Sequence, residues 1–186
     1  WANEWFKTND TPFVASIADQ GGGAYQLEIQ NLLDQKLTDL RVAVGATIFE
    51  VGSIDAGEKK SIPLEAGAGT PLLGFVQQNA SYFQRAAELR RNPLGNSSGG
   101  QLEDRPLVAT AASFISYVEQ TRGMGRSFIA PPGLDLSAQV ERGDAVVFAF
   151  APNRAFTEKL NQFSPPRFRQ DTLLRLTLPV RSKTAL

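Results

Sequence analysis

The chain has 186 residues, 42% hydrophobic and 20% charged, the proportions of an ordinary globular protein. Its 19 Lys and Arg balance 19 Asp and Glu, so no overall field draws in a nucleic acid or an anionic membrane. Histidine and cysteine are both absent, which removes disulfides, thiolate nucleophiles, zinc-thiolate sites and the commonest general base.

No apolar run approaches the roughly 18 residues needed to cross a bilayer. Trp1 stands where an initiator Met would, with no basic or apolar leader behind it, and reads as the start of a processed or excised piece. The lack of cysteine is a mild pointer to the periplasm or the cell surface.

Residues 1–10 carry Trp1, Trp5 and Phe6 among polar neighbours and read as a linker entering the fold. Phe13, Ala15 and Ile17 alternate with smaller or polar residues. Gly21-Gly22-Gly23 then supplies a turn, and Tyr25, Leu27 and Ile29 alternate with Gln26, Glu28 and Gln30, which together predict a hairpin. Leu40, Val42 and Val44 continue the pattern up to Gly45, a tight turn or bulge, and a further strand follows from Thr47 to Val51. After the turn at 53–58, Lys59 to Leu64 reads as a strand with Ile62 and Leu64 inward and Lys60 outward.

The period then changes. Phe75, Val76, Asn79, Tyr82, Phe83, Ala86 and Leu89 fall at helical spacing and predict an amphipathic helix over about 75–91, stopped at Asn92-Pro93. A Gly- and Ser-rich stretch follows, and 92–104 reads as a mobile loop. Residues 107–118 mix alanines with Val108, Thr110, Phe114, Ile115 and Tyr117, and strand is preferred. Leu134, Leu136, Ala138 and Val140 alternate as a strand does. Ala145–Ala151 is a buried strand, 153–163 a short helix, and Leu173–Val180 the closing strand before a tail at 181–186.

Strands at about ten-residue spacing predict a mostly β fold, an antiparallel β-sandwich over 11–180 with a helical and loop insertion at 71–104. Two turns echo one another: Ile54-Asp55-Ala56-Gly57-Glu58 and Val140-Glu141-Arg142-Gly143-Asp144, each with acids to accept turn amides and Gly for a positive φ. The stretch Ile29-Gln30-Asn31 through Leu37-Thr38-Asp39-Leu40-Arg41-Val42-Ala43-Val44 and on to Ala56-Gly57-Glu58 resembles immunoglobulin-like modules of bacterial envelope proteins. The resemblance spans about residues 24–64, departs at Ala56 where Pro is common, and implies a fold without a ligand site.

No phosphate-cradle spacing surrounds Gly67, Gly69 and Gly74, and Gly123-Met124-Gly125-Arg126-Ser127 reads as an ordinary turn. The carboxylate pairs Asp55 with Glu58, Glu103 with Asp104, and Glu141 with Asp144 lie in polar turns. They lack the density of a calcium loop. Ser113, Ser116 and Ser127 stand in no nucleophile motif. Asn79 and Asn96 match the glycosylation pattern, and only Asn96 stands outside the expected helix.

No catalytic residue, cofactor or metal ligand is therefore assigned. Basic clusters offer Arg85, Arg91, Arg167 and Arg169 as partner-binding residues, and Trp1 and Trp5 as aromatic contacts. The expected role is a non-catalytic structural or protein-interaction module of a larger envelope-associated protein or complex. Its partner would be another protein, not a nucleic acid, with a possible membrane tether outside this chain. The alternative is a carbohydrate-binding module or carboxylate-dependent glycoside hydrolase that stacks sugars on Trp5, Tyr25 or Tyr117.

Overall fold

The computed structural model describes residues 11–79, 105–114, 116–117, 133–152 and 171–182. The strands are β1 (Phe13–Gly21), β2 (Ala24–Asn31), β3 (Leu37–Val44), β4 (Thr47–Ile54), β5 (Lys59–Leu64), β6 (Thr70–Pro71), β7 (Asp144–Pro152) and β8 (Asp171–Arg181). They form one mixed sheet in the order β5-β2-β1-β8-β7-β3-β4-β6. Every pairing is antiparallel except β1 with β8.

The strand order itself demands that the sheet curl. β4 and β5 are neighbours in sequence yet stand six places apart in the sheet, about 29 Å if the sheet were flat. The stretch from Ile54 to Lys59 spans at most about 18 Å. Curling brings the two strands within reach, and contacts from β2 to β4 and to the turn between β4 and β5 hold the curl. Asn31, at the end of β2, donates through its backbone N–H to the Glu58 carbonyl at 2.9 Å and through Nδ2 to the Asp55 carbonyl at 3.0 Å. At the other end Tyr25 meets Phe49 edge to face at 6.4 Å.

The curl encloses the main core. Phe13, Ile17, Leu27, Ile29 and Leu64 come from the arm β5-β2-β1, and Leu37, Leu40, Val42, Val44, Phe49, Ile54 and alternate alanines and Val147 of β7 from the other arm. The chain is mostly β, as its alternation predicts. The expected separation into two packed sheets is not what the described strands form, because the parallel contacts Ile17↔Val180 and Ala18↔Arg181 join both arms into one sheet.

The β3–β7 region is buried on both faces, which is why β7 reads as a continuous apolar run. Its outer face carries a second core: Ala43, Ile48, Val146 and Phe148 meet Leu72, Phe75, Val76, Ala111, Phe114, Leu136 and Val140. These last residues belong to a helical cap of α1 (72–79), α2 (Arg105–Ala112) and α3 (Ser137–Glu141), with Phe114 in the turn after α2 and Leu136 just before α3. In α1, Leu72, Phe75, Val76 and Asn79 are buried at the i, i+3, i+4, i+7 spacing of one helical face. Helix therefore begins at residue 72, before the expected 75, and the stretch 80–91 lies outside the described residues.

Two expected strands are helices. Residues 105–112 form α2 because Ala109, Ala111 and Ala112 favour it and Pro106 sits in the first turn, where its missing N–H costs nothing. Thr110 and Ser113 turn their hydroxyls back to the carbonyls of Pro106 and Ala109, at 2.8 and 3.2 Å. The alternation from Leu134 to Val140 likewise ends in α3, which Asp135 starts by accepting the Ser137 N–H at 3.1 Å. Lys60 also corrects its placement: it shares the face of Ile62 and Leu64 and reaches along the edge to donate to the Ser53 carbonyl at 3.0 Å.

Both echoing turns put glycine at positive φ, Gly57 at 69° and Gly143 at 91°. Asp55 N–H donates to the Glu58 carboxylate at 2.8 Å in the first. The second is a helix C-terminus, where Gly143 N–H returns to the Val140 carbonyl at 3.0 Å. Gly45 is a turn residue: it and Ala46 have φ of 56° and 62°, the pair of positive values that a two-residue hairpin of right-handed twist requires.

Candidate functional site

Two surfaces stand out once the cores are assigned, a polar cluster in the helical cap and the uncovered face of the β5-β2-β1 arm. In the cap, Asp135 accepts from the Ser116 hydroxyl through Oδ2 and from the Ser137 hydroxyl through Oδ1, the latter at 2.7 Å. Burial pushes this carboxyl up, but the hydrogen bonds from Ser116 and Ser137 outweigh it and hold the group below the usual carboxylate range. Burial, then the adjacent Glu141, pushes the Tyr117 phenol up. The cluster tethers the 116–117 segment to α3, and its groups satisfy one another's hydrogen bonds. It is a clasp between two parts of the cap.

The arm's outer face is different, since no described helix covers it. Val14 pairs with Gln30 and Ser16 with Glu28 across β1 and β2, and Gln30 pairs with Lys59 across β2 and β5. These residues line a shallow open depression. Beside it stand Val14 and Leu32, 45% and 49% exposed, two of the four large apolar residues exposed among those described. Leu32 joins this face because its N–H bonds to the Pro12 carbonyl at 3.0 Å, one step beyond the Val14 row.

The residues that the sequence singles out are placed unevenly. Arg85, Arg91, Arg167, Arg169, Trp1, Trp5, Glu103, Asp104, Ser127 and the 123–127 turn all lie outside the described residues. Asp55 and Glu58 serve their turn and pair with Lys36 and Lys60 at 3.0 and 3.2 Å. Asp144 lies 3.9 Å from Arg142. Tyr25 packs on the core, and Tyr117 stacks on Phe114 at 6.3 Å, so each has a ring contact already. Asn79 is buried and donates to the Phe75 carbonyl at 2.8 Å, which removes it as a glycan acceptor.

Arg41 is a buried cation, its guanidinium flanked by Asp39 and Glu50 at 3.8 and 3.6 Å, and those two acids leave no net positive field there for an anion. Among the described residues no group of three acidic side chains is arranged to hold a metal ion, and no helix is long and apolar enough to cross a membrane. The sequence reading missed the Asp135 clasp, whose signal was an acid two residues before Ser137, and the Val14–Leu32 patch, whose signal was apolar residues on the polar side of the alternation.

A mostly β domain with a curled mixed sheet and a helical cap is thus defined. The chain belongs to the family described as Domain of unknown function (DUF8725), whose model matches residues 12–128. The match ends before β7 and β8, the strands that bridge β1 to β3, so the sheet needs more chain than the matched span. No curated protein and no solved structure matches it.

Proposed function

We propose that this chain is a non-catalytic protein-interaction module, built on an immunoglobulin-like plan and working outside the cytoplasm within a larger envelope-associated protein or complex. The observation that carries the reading is the asymmetry of cover. Among the described residues three helices cover the β3–β7 face, whereas none covers the β5-β2-β1 face, which presents Val14 and Leu32 beside Ser16, Glu28, Gln30 and Lys59. Apolar side chains inside a polar, charge-balanced rim are what a protein partner can bury without leaving an unpaired charge. Two arms facing each other across one core, with the Asn31-led turn and the Asp55–Glu58 turn at one end, support the immunoglobulin-like plan.

Cell fractionation followed by intact-mass measurement of the native product tests the setting. A product that carries this chain in the envelope fraction is expected. A product confined to the cytosol would remove the extracytoplasmic part of the proposal.

A further inference from the structure

Pro179 decides where β1 and β8 stop pairing. The bond from Leu32 N–H to the Pro12 carbonyl fixes the alternation along β1. Pro12, Val14 and Ser16 turn their backbone groups toward β2, and Phe13, Ala15 and Ile17 turn theirs toward β8. The contacts Ile17↔Val180 and Ala18↔Arg181 then require the odd-numbered residues of β8 to face β1. One further step along this seam needs the N–H of residue 179 to donate to the Ala15 carbonyl, and proline has none. The strands fork there.

Within the fork, the backbone groups of Phe13 and Ala15 on one side and of Arg175 and Thr177 on the other have no strand partner among the described residues. The lining is apolar as well. Leu174, Leu176 and Leu178 point to the main core yet are only partly buried, whereas Ala145, Val147 and Ala149 beside them are 0% exposed. A lone sheet edge leaves backbone unpaired, and a lone apolar patch leaves side chains uncovered. Both together, inside a sheet and alternating at strand spacing, have the shape of an absent strand.

We propose that the fork accepts an extended peptide from a partner protein as an added strand, hydrogen-bonded to Phe13 and Ala15, with alternate apolar side chains laid on Leu176 and Leu178. This rests on the interaction-module reading and gives the partner's contact segment its form. About five residues suffice, at about 3.3 Å each. A second copy is a poor donor through either edge of the described sheet, because β5 carries Lys59, Lys60 and Pro63, which discourage pairing between copies, and β6 is only the two residues Thr70–Pro71.

Residue-resolved amide exchange on the full chain, with and without a Lys-flanked Thr-Val-Thr-Val-Thr peptide as probe, tests it. In the free chain the Phe13, Ala15, Arg175 and Thr177 amides are expected to exchange fast while Val14 and Ser16 are slow, and the peptide slows the first group by at least about tenfold. The variant Pro179→Val restores the missing donor, closes the fork and abolishes the response, with slow Val14 and Ser16 amides showing that it is folded. Slow exchange at Phe13 and Ala15 in the free dilute chain would overturn the proposal in favour of a segment of the chain itself. Protection that grows with protein concentration would overturn it in favour of a second copy. Absence of any peptide effect at saturating concentration would overturn it outright, while leaving the Val14–Leu32 face as a separate docking surface.

Discussion

Replacing Asn31 by alanine should be among the most damaging single polar substitutions in the chain. The side chain is 0% exposed and serves three separate pieces of backbone. Its Nδ2 donates to the carbonyls of Gln35 at 2.8 Å and Asp55 at 3.0 Å, and its Oδ1 accepts the Leu33 N–H at 3.0 Å. A buried hydrogen bond contributes about 1 kcal/mol net, and a buried group left without a partner costs about 1 to 3 kcal/mol. Asp55 is exposed and Gln35 half-exposed, so water can rescue part of what Asn31→Ala abandons.

The expected loss is therefore about 3 kcal/mol, three bonds at about 1 kcal/mol each. Asn31→Asp should cost at least as much at neutral pH, because it keeps the acceptor for Leu33 but turns a carboxylate toward two carbonyls. Urea unfolding of both variants checks this, with a lower midpoint and an unchanged slope marking a pure stability loss. A loss under about 1 kcal/mol for Asn31→Ala would refute the claim that this side chain ties the β2 end to the β4–β5 turn.

Gly45→Ala should lower stability by about 2 kcal/mol, since an alanine at φ 56° is strained and its Cβ would stand 2.5 Å from the Tyr25 Oη; thermal unfolding measures it. Phe148→Ala should cost about 4 kcal/mol by denaturant unfolding, because the ring is 0% exposed between β7 and the cap and meets Phe114 edge to face at 5.6 Å. Asp135→Asn should destabilise the cap by about 1 kcal/mol at neutral pH. The folded carboxyl titrates below its unfolded value, so its contribution is complete above the unfolded value and is lost as pH falls through the folded one. The stability gap between the two proteins should thus hold from neutral pH down to about 4 and shrink below it.

β1, β2 and β5 were legible because each has one face in the core, and period-two alternation records that directly; β3 was legible from Leu40, Val42 and Val44, although the cap covers Ala43 on its other face. β7 was legible for the opposite reason, being buried on both faces. Residues 105–112 and 137–141 were misread because short helices lying on a sheet need only a few apolar contacts. Val108, Thr110 and Val140 satisfy those as well as any helix former would. The curl was not legible from spacing, because it depends on β4 and β5 being distant in the sheet, a fact of pairing order. The fork had one letter of signal, Pro179 inside an otherwise strand-like run, and it acquires meaning only when β8 is seen to lie beside β1.

Photo-crosslinking in the producing cells tests the interaction-module reading most directly. A photoreactive side chain is placed at Val14 or Leu32 on the uncovered face, and at Glu50 on β4, where the side chain is 76% exposed, as a control. A discrete adduct to a second protein from positions 14 and 32, and none from position 50, is expected. A folded chain that gives no adduct from 14 and 32, or the same diffuse adducts from all three positions, would contradict it.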